Sequence, residues 1–364
     1  MAVLGYNDLK QYAVPTYWDS AMLRNIELEA GYNYDQLISD IAAGLTEVNG
    51  ALLNDPTTAD LLSLTTEASV EYPYGVSNGF EEATEYGVPN PKRAGTTGHM
   101  LPLIEYDRAL GWTFMFLKKA RRAQIDADVA SAVADVKNLW QQKALTRLFK
   151  STYDSVGTGR SMPVADAGTA DAAYIPPQFP ERASAFDATH THLGRLNGIT
   201  QANLNTAVTH LWEHGQDAPF TLLVAEADIA SWTAVATVTG YIPRAQAMIQ
   251  YGTSQDLALV DAQYHGVVTT DHGPCILKSN ARIPTKYWAL YKSHGNGDAR
   301  NPLVCRYNPA FGVGAVLLAG DHIRQYPLEN AIMWAEMGFG VMNRVGAYIC
   351  YNYASGSYVD PTIS

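Results

Sequence analysis

The residues best suited to chemistry in this chain are histidines. His210, Glu213 and His214 form H-x-x-E-H. On a helix that spacing sets two imidazoles one turn apart with a carboxylate between them, the inverted order of a zinc-peptidase site in which the glutamate acts as general base. Such a centre needs a further ligand from a following helix. Here Gly215 is a helix stop, no ligand-bearing helix follows, and the three residues share the polar side of their predicted helix with Asn203 and Thr206. A zinc hydrolase built on His210, Glu213 and His214 is thus the weakest of the readings, and the chain is not expected to be an enzyme. His190 and His192 alternate in a threonine-rich segment shortly before. A four-histidine structural metal site is conceivable from these residues, but packing or hydrogen bonding is the expected role, with no metal and no cofactor.

Other signals exclude more than they assign. Cys275, Cys305 and Cys350 are odd in number and lack C-x-x-C spacing, so they read as buried free thiols. Gly312-Val-Gly314 and Gly338-Phe-Gly340 lack the strand–loop–helix context of a dinucleotide fingerprint, and no G-x-x-x-x-G-K-[ST] occurs. A net charge of −11 over 364 residues argues against a protein that coats nucleic acid, which needs clustered basic side chains. Lys118, Lys119, Arg121 and Arg122 are too short a cluster and read as a solvated helix face. No run of about 18 apolar residues appears, and the first residues lack a signal-peptide layout, so a cytoplasmic, membrane-free setting is expected.

The elements that position these residues follow from periodicity. Leu37, Ile38, Ile41, Ala42 and Leu45 give one stripe to a predicted helix over 34–46. Residues 65–107 are punctuated by Asn78-Gly79, Pro89-Asn90-Pro91 and Gly95, and read as a long two-stranded excursion with too little apolar content to bury itself. A helix over about 126–150 comes next, with Val129, Val133, Val136, Trp140, Ala144 and Leu148 at three-to-four spacing. Asp126 and Asp128 at its start, and Lys143, Arg147 and Lys150 at its end, suit the macrodipole. Thr200 can cap a helix running to His214. Phe220–Val224 reads as a buried strand, Ala227–Val238 as a helix, and Pro243–Ile249 as a short helical piece. Strands at 266–270, 275–278, 287–291 and 313–318 then complete a mixed α/β lobe over 219–324. Glu329–Val341 and Ala347–Tyr353, joined by a turn at Asn343–Gly346, read as a terminal hairpin that returns to cover the long helix.

Several stretches, taken in order, resemble the tailed-bacteriophage major capsid proteins of the Hong Kong 97-like fold. They are Leu101–Asp107 with Thr113–Ala120, then Ile283-Pro284, Tyr287–Lys292, Asn301-Pro302-Leu303, Gly312-Val-Gly314, Tyr326-Pro327-Leu328, Gly338–Val341 and Asn343–Gly346. The resemblance rests on order and spacing across some 260 residues, since no one motif is decisive. It implies an α+β (mixed α/β) chain with an N-terminal arm at 1–64, an extended loop at 65–107 and a peripheral domain at 108–218 carrying the spine helix. An axial domain at 219–324 and return strands of the peripheral domain at 325–364 complete it.

The function implied is a shell subunit that self-assembles into pentamers and hexamers around double-stranded DNA in the bacterial host, with scaffolding, portal and possibly decoration proteins as partners. The family's long N-terminal scaffolding extension is not visible, which implies a separate scaffold or a processed chain. An encapsulin-like compartment is the alternative within the same fold. Some members cross-link a loop lysine to an asparagine of a neighbour; the matching candidates are Lys92 with Asn343 or Asn352. Tyr86 and Arg93 join these three as candidate inter-subunit contacts, although an exposed, solvating Lys92 is the plainer expectation.

Overall fold

A computed structural model describes residues 31, 33–74, 82–83, 85, 87, 95–113, 116, 119–153, 162–164, 174–177, 179, 181–183, 186–187, 189–235, 238–239, 264–318 and 328–363. The chain forms two compact units. The smaller comprises 1–48, 106–136 and 315–335, and the larger 49–105, 137–314 and 336–364.

In the smaller unit, helix α1 (Tyr34–Leu52) contributes its first turns. It starts at a reciprocal cap in which the Asn33 amide donates to Gln36 Oε1 and the Gln36 amide to Asn33 Oδ1, both at 2.9 Å. Tyr34, Leu37, Ile41 and Leu45 are its buried stripe, and Gly44 lies against Val133. Helix α2 (Arg122–Phe149) begins a turn earlier than its apolar pattern predicts. Asp126 and Asp128 therefore fall in its second turn, where Asp126 pairs with Arg122 and Asp128 accepts from Trp112 Nε1 at 3.3 Å; they do not serve the helix dipole. Strand β4 (Ile104–Thr113) carries Arg108, which pairs with Asp135, and β12 (Ala315–Leu318) runs antiparallel to residues 332–335 of β13 (Leu328–Val341).

The larger unit contains the last three turns of α2, whose side chains Trp140, Ala144, Leu145, Leu148 and Phe149 are all buried. Arg147 closes that end by donating to the carbonyls of Lys150 at 3.3 Å and Thr152 at 2.8 Å. Strand β1 (Leu62–Thr65) runs parallel to β11 (Leu303–Tyr307), which is antiparallel to the end of β13 (Leu328–Val341). Strand β2 (Ser69–Tyr74) pairs antiparallel with β3 (Gly95–Met100), which makes the expected two-stranded excursion.

The base of that hairpin is more deeply set than its composition suggests. Val70, Tyr72 and His99 are buried with Leu101, Tyr174 and Val304, and Tyr72 donates its hydroxyl to the Val341 carbonyl. Arg344, 1% exposed, lies 3.9 Å from the centre of the Tyr174 ring.

A seven-stranded sheet forms the core of the larger unit, in the order β5 (Leu193–Leu196), β14 (Ala347–Asn352), β10 (Tyr287–Tyr291), β6 (Phe220–Ala225), β9 (Gly273–Asn280), β8 (Tyr264–Thr270) and β7 (Val238–Thr239). Helix α3 (Gln201–Trp212) covers one face. Thr200 caps it by accepting the Asn203 amide at 3.2 Å, and Leu204, Ala207, Val208 and Leu211 pack on Phe220, Leu222, Trp288 and Leu290. On the other face Tyr287 stacks on Tyr351, meets Phe149 edge-on and donates to the Val359 carbonyl at 2.9 Å.

Three expectations change. The predicted helix over 227–238 is a short 3-10 turn, Glu226–Asp228, succeeded by α4 (Ile229–Thr233), because Trp232 turns inward against Trp288 and β7 begins at Val238. The last two strands do not form a hairpin. The turn at Asn343–Gly346 sends β14 into the seven-stranded sheet, where its apolar residues match β10, while β13 stays with β11. The C-terminal segment beyond β14 makes the return to the long helix: Tyr358 donates to the Phe149 carbonyl at 2.7 Å, and Gln142 to the Ile363 carbonyl at 3.0 Å. The predicted helical piece at 243–249 lies outside the described residues.

The turn between α1 and β1 joins these parts. Asp55, 2% exposed, accepts from Gln141 Nε2 at 2.7 Å and from the Thr58 hydroxyl at 3.0 Å, with the Lys137 ammonium at 3.5 Å. Trp140 Nε1 donates to Thr58 Oγ1, and Asn280 Nδ2 to Thr57 Oγ1, both at 2.9 Å. Replacing Asp55 with asparagine removes the charge and turns an amide toward these donors. We expect Asp55→Asn to lower the unfolding free energy by about 3 kcal/mol, read from the urea midpoint; a loss under about 1 kcal/mol would show the clasp to be incidental.

Candidate functional site

The four histidines come together in the larger unit. Strand β5 is entered through His192, whose carbonyl accepts the Ile349 amide at 2.8 Å and so extends the pairing with β14 by one residue. In the segment leading into β5 the rings of His190 and His192 meet, with centroids 5.1 Å apart. Asp187 fixes the approach by accepting from the Thr189 amide at 2.8 Å and the Thr189 hydroxyl at 2.6 Å. From the helix side come His210, stacked on Tyr348 at 5.0 Å, and His214, just past the helix end.

The resulting contacts are short. His190 Nε2 lies 3.1 Å from His192 Nε2 and 2.9 Å from His214 Nε2, while His192 Nδ1 is 2.8 Å from the Ala347 carbonyl oxygen. Phe186 covers the group, 4.5 Å from the ring of His190 and 4.4 Å from that of His214. His192 is fully buried and His214 is 8% exposed.

Burial, reinforced by the neighbouring imidazoles, holds His192 well below the usual histidine range and His214 near about 3. The same causes bring His190 to about 4, opposed by the Asp187 carboxylate. Burial also lowers His210 and raises the Glu213 carboxyl. All four imidazoles are therefore neutral near pH 7. A cavity of about 390 Å³ opens beside them, lined by Phe186, Thr189, His190, His210 and Tyr348.

One expectation is corrected here. His210 and His214 are not left on an open polar side of the helix, because Phe186, His190 and His192 lie against them. Nor do His210, Glu213 and His214 hold the inverted zinc-peptidase arrangement. The helix ends at Trp212 with Glu213 as its C-cap, the His214 amide bonds to the Leu211 carbonyl in a tighter turn, and Gly215 at φ +81° leads the chain away. Among the described residues, the side chains placed to share an ion are His190 with His192 and His214, or His190 with His210 and Glu213. The alternation of His190 and His192 ahead of an apolar strand is the signal in the sequence that points to this meeting.

Of the candidate inter-subunit contacts, Tyr86, Lys92 and Arg93 lie outside the described residues. Asn343 and Asn352 are engaged within the chain. Asn343 Oδ1 accepts the Val345 amide at 3.2 Å in its own turn, and Asn352, 8% exposed, accepts from Trp288 Nε1 at 3.0 Å.

No protein-family model and no curated protein matches the sequence. Solved structures do. A chain from Mycobacterium phage Patience aligns over 96% of this chain and 97% of its own, at 22% identity and a TM-score of 0.62. Looser likenesses are a chain of the cyanophage Pam1 capsid (83% and 91% covered, 12% identity, TM-score 0.49) and one of the holo-SrpI encapsulin complex from Synechococcus elongatus (98% and 100%, 12%, 0.41). The first of these carries the fold: over nearly the whole of both chains this chain shares the mixed α/β architecture of that phage chain, as the resemblance to the Hong Kong 97-like fold implies.

Because Asn343 and Asn352 are already bonded internally, the purified chain boiled in SDS is expected to run as a single monomer band. A ladder of covalent oligomers would show that one of them is freed for cross-linking.

Proposed function

We propose that this chain is the shell-building subunit of a tailed-phage head, forming pentamers and hexamers that enclose double-stranded DNA and assembling in the cytoplasm of a bacterial host. The observation that carries the reading is the end-to-end fold likeness, which spans nearly the whole of both chains rather than one lobe. In this reading the seven-stranded sheet, which joins 193–196 and 347–352 to 220–291, lies toward the capsomer axis, α2 is the spine of the peripheral region, and an arm would lie ahead of α1, because 53–64 are built into the larger unit. Scaffolding, portal and decoration proteins would be the outside partners. The net charge of −11 supports a shell that confines DNA without binding it tightly.

Two features of the larger unit support the assembly role. The β2–β3 hairpin is a two-stranded ribbon, and such a ribbon gains stability from a further surface to lie on. At its exit Met100 and Ile104 are 54% and 45% exposed, large apolar side chains suited to a contact with another copy. Tyr86, Lys92 and Arg93, which lie in sequence between the two strands, would add polar contacts to the same neighbour. Modest interfaces of this kind, repeated around closed rings, add up to a stable shell.

The double variant Met100→Asp, Ile104→Asp tests the hairpin's part. Since both side chains face solvent in the single chain, its circular dichroism and unfolding midpoint are expected to match the parent. Light scattering should show the parent in rings of five or six or larger assemblies and the variant as a monomer. Assembly of the variant indistinguishable from the parent would rule out this hairpin contact.

A further inference from the structure

We propose that His190, His192 and His214 form a structural site for a divalent transition metal of the zinc type, with His210 the further imidazole beside it. The site lies within one chain, so it stands or falls separately from the assembly reading.

Proton accounting makes the case. A carbonyl oxygen cannot donate, so the 2.8 Å contact with Ala347 requires His192 to carry its proton on Nδ1. Its Nε2 is then a bare lone pair aimed at His190. His190 Nε2 sits between that lone pair at 3.1 Å and His214 Nε2 at 2.9 Å. If His190 Nε2 is protonated, one hydrogen must serve two acceptors. If His214 Nε2 is protonated instead, His190 and His192 face each other as two lone pairs. Neutral imidazoles therefore offer no arrangement with a well-aligned hydrogen bond in both contacts. A cation in the middle satisfies all three nitrogens together.

The geometry suits such an ion. Zinc–imidazole bonds of about 2.0–2.1 Å in a tetrahedron set neighbouring ligand nitrogens about 3.3 Å apart, so the observed contacts need only a few tenths of an ångström of expansion. The donor of His192 to a backbone carbonyl is the outer hydrogen bond that orients a metal-bound histidine. His210 brings a fourth imidazole, 5.4 Å ring to ring from His190, and its Nδ1 is buried without a hydrogen-bond partner. Imidazole ligands without thiolates or carboxylates select zinc, nickel, cobalt or copper over magnesium or calcium.

An ion here would tie the segment leading to β5, the end of α3 and, through His192, the start of β14 into one staple. The structural assignment follows from the burial of the ligands, His192 fully and His214 to 8% exposure, beneath Phe186.

The test uses the full chain, stripped with a chelator and titrated with zinc or cobalt(II) alone, with metal content read by plasma mass spectrometry. One ion per chain is expected, with tetrahedral cobalt absorption bands and a higher unfolding midpoint in zinc than in chelator. His190→Gln and His214→Gln should each weaken binding by at least 100-fold while keeping the parent's circular dichroism, and His210→Gln by about 10-fold. His190 is part-exposed, so its variant is expected to fold even if His214→Gln does not. Substoichiometric zinc in the parent, or a His190→Gln chain that binds zinc as tightly as the parent, would overturn the proposal.

Discussion

A carboxylate with almost no access to water sits where the main parts of the larger unit meet. Asp55 would be costly to bury alone, since desolvating a charge outweighs a single attraction. It is stable there because Gln141, Thr58 and Lys137 all turn donors toward it. The neighbours of Asp55 extend the same knot: Thr57 and Thr58 accept hydrogen bonds from Asn280 and Trp140, and Asp60 accepts from Lys278 at 2.8 Å and Tyr291 at 3.0 Å. One six-residue turn thus fixes the end of α2 against β9 and β10. The arrangement specifies a position more than it adds stability, because an apolar turn could bury area but could not choose a register.

That register carries forward along the chain. Leu61 accepts from the Leu303 amide, β1 pairs with β11 directly afterwards, and the hairpin β2–β3 leaves from a place already set. Its root is held a second time from the other end of the sequence, by Tyr72 against Val341 and by Arg344 over Tyr174. Gly338 permits the close approach, because a β-carbon there would run into the Pro102 carbonyl. The ribbon is thus anchored at its root from two sides, and Met100 and Ile104 stand exposed where it leaves.

Much of this is legible in the sequence, and the parts that are not share a cause. The stripe from Leu37 to Leu45, the Thr200 cap and the run Phe220–Val224 each depend on neighbours a few positions away, and each appears where periodicity places it. The Asp55 clasp reads only as a turn, because its donors lie some 80 to 220 residues distant. The terminal strands mislead for the same reason: two apolar strands joined by a short turn read as a hairpin, and only the tertiary match of β14 to β10 separates them. The histidines are the sharpest case. Their two spacings are visible, but their meeting depends on β5 lying parallel to β14 beneath the end of α3, which no local pattern encodes.

The central claim is that the chain's own surfaces close into a shell. The most direct measurement is negative-stain electron microscopy of the purified, recombinantly expressed chain over a range of concentrations. The account predicts closed shells, tubes or rings of five and six; a uniform field of monomers at the highest concentration would contradict it.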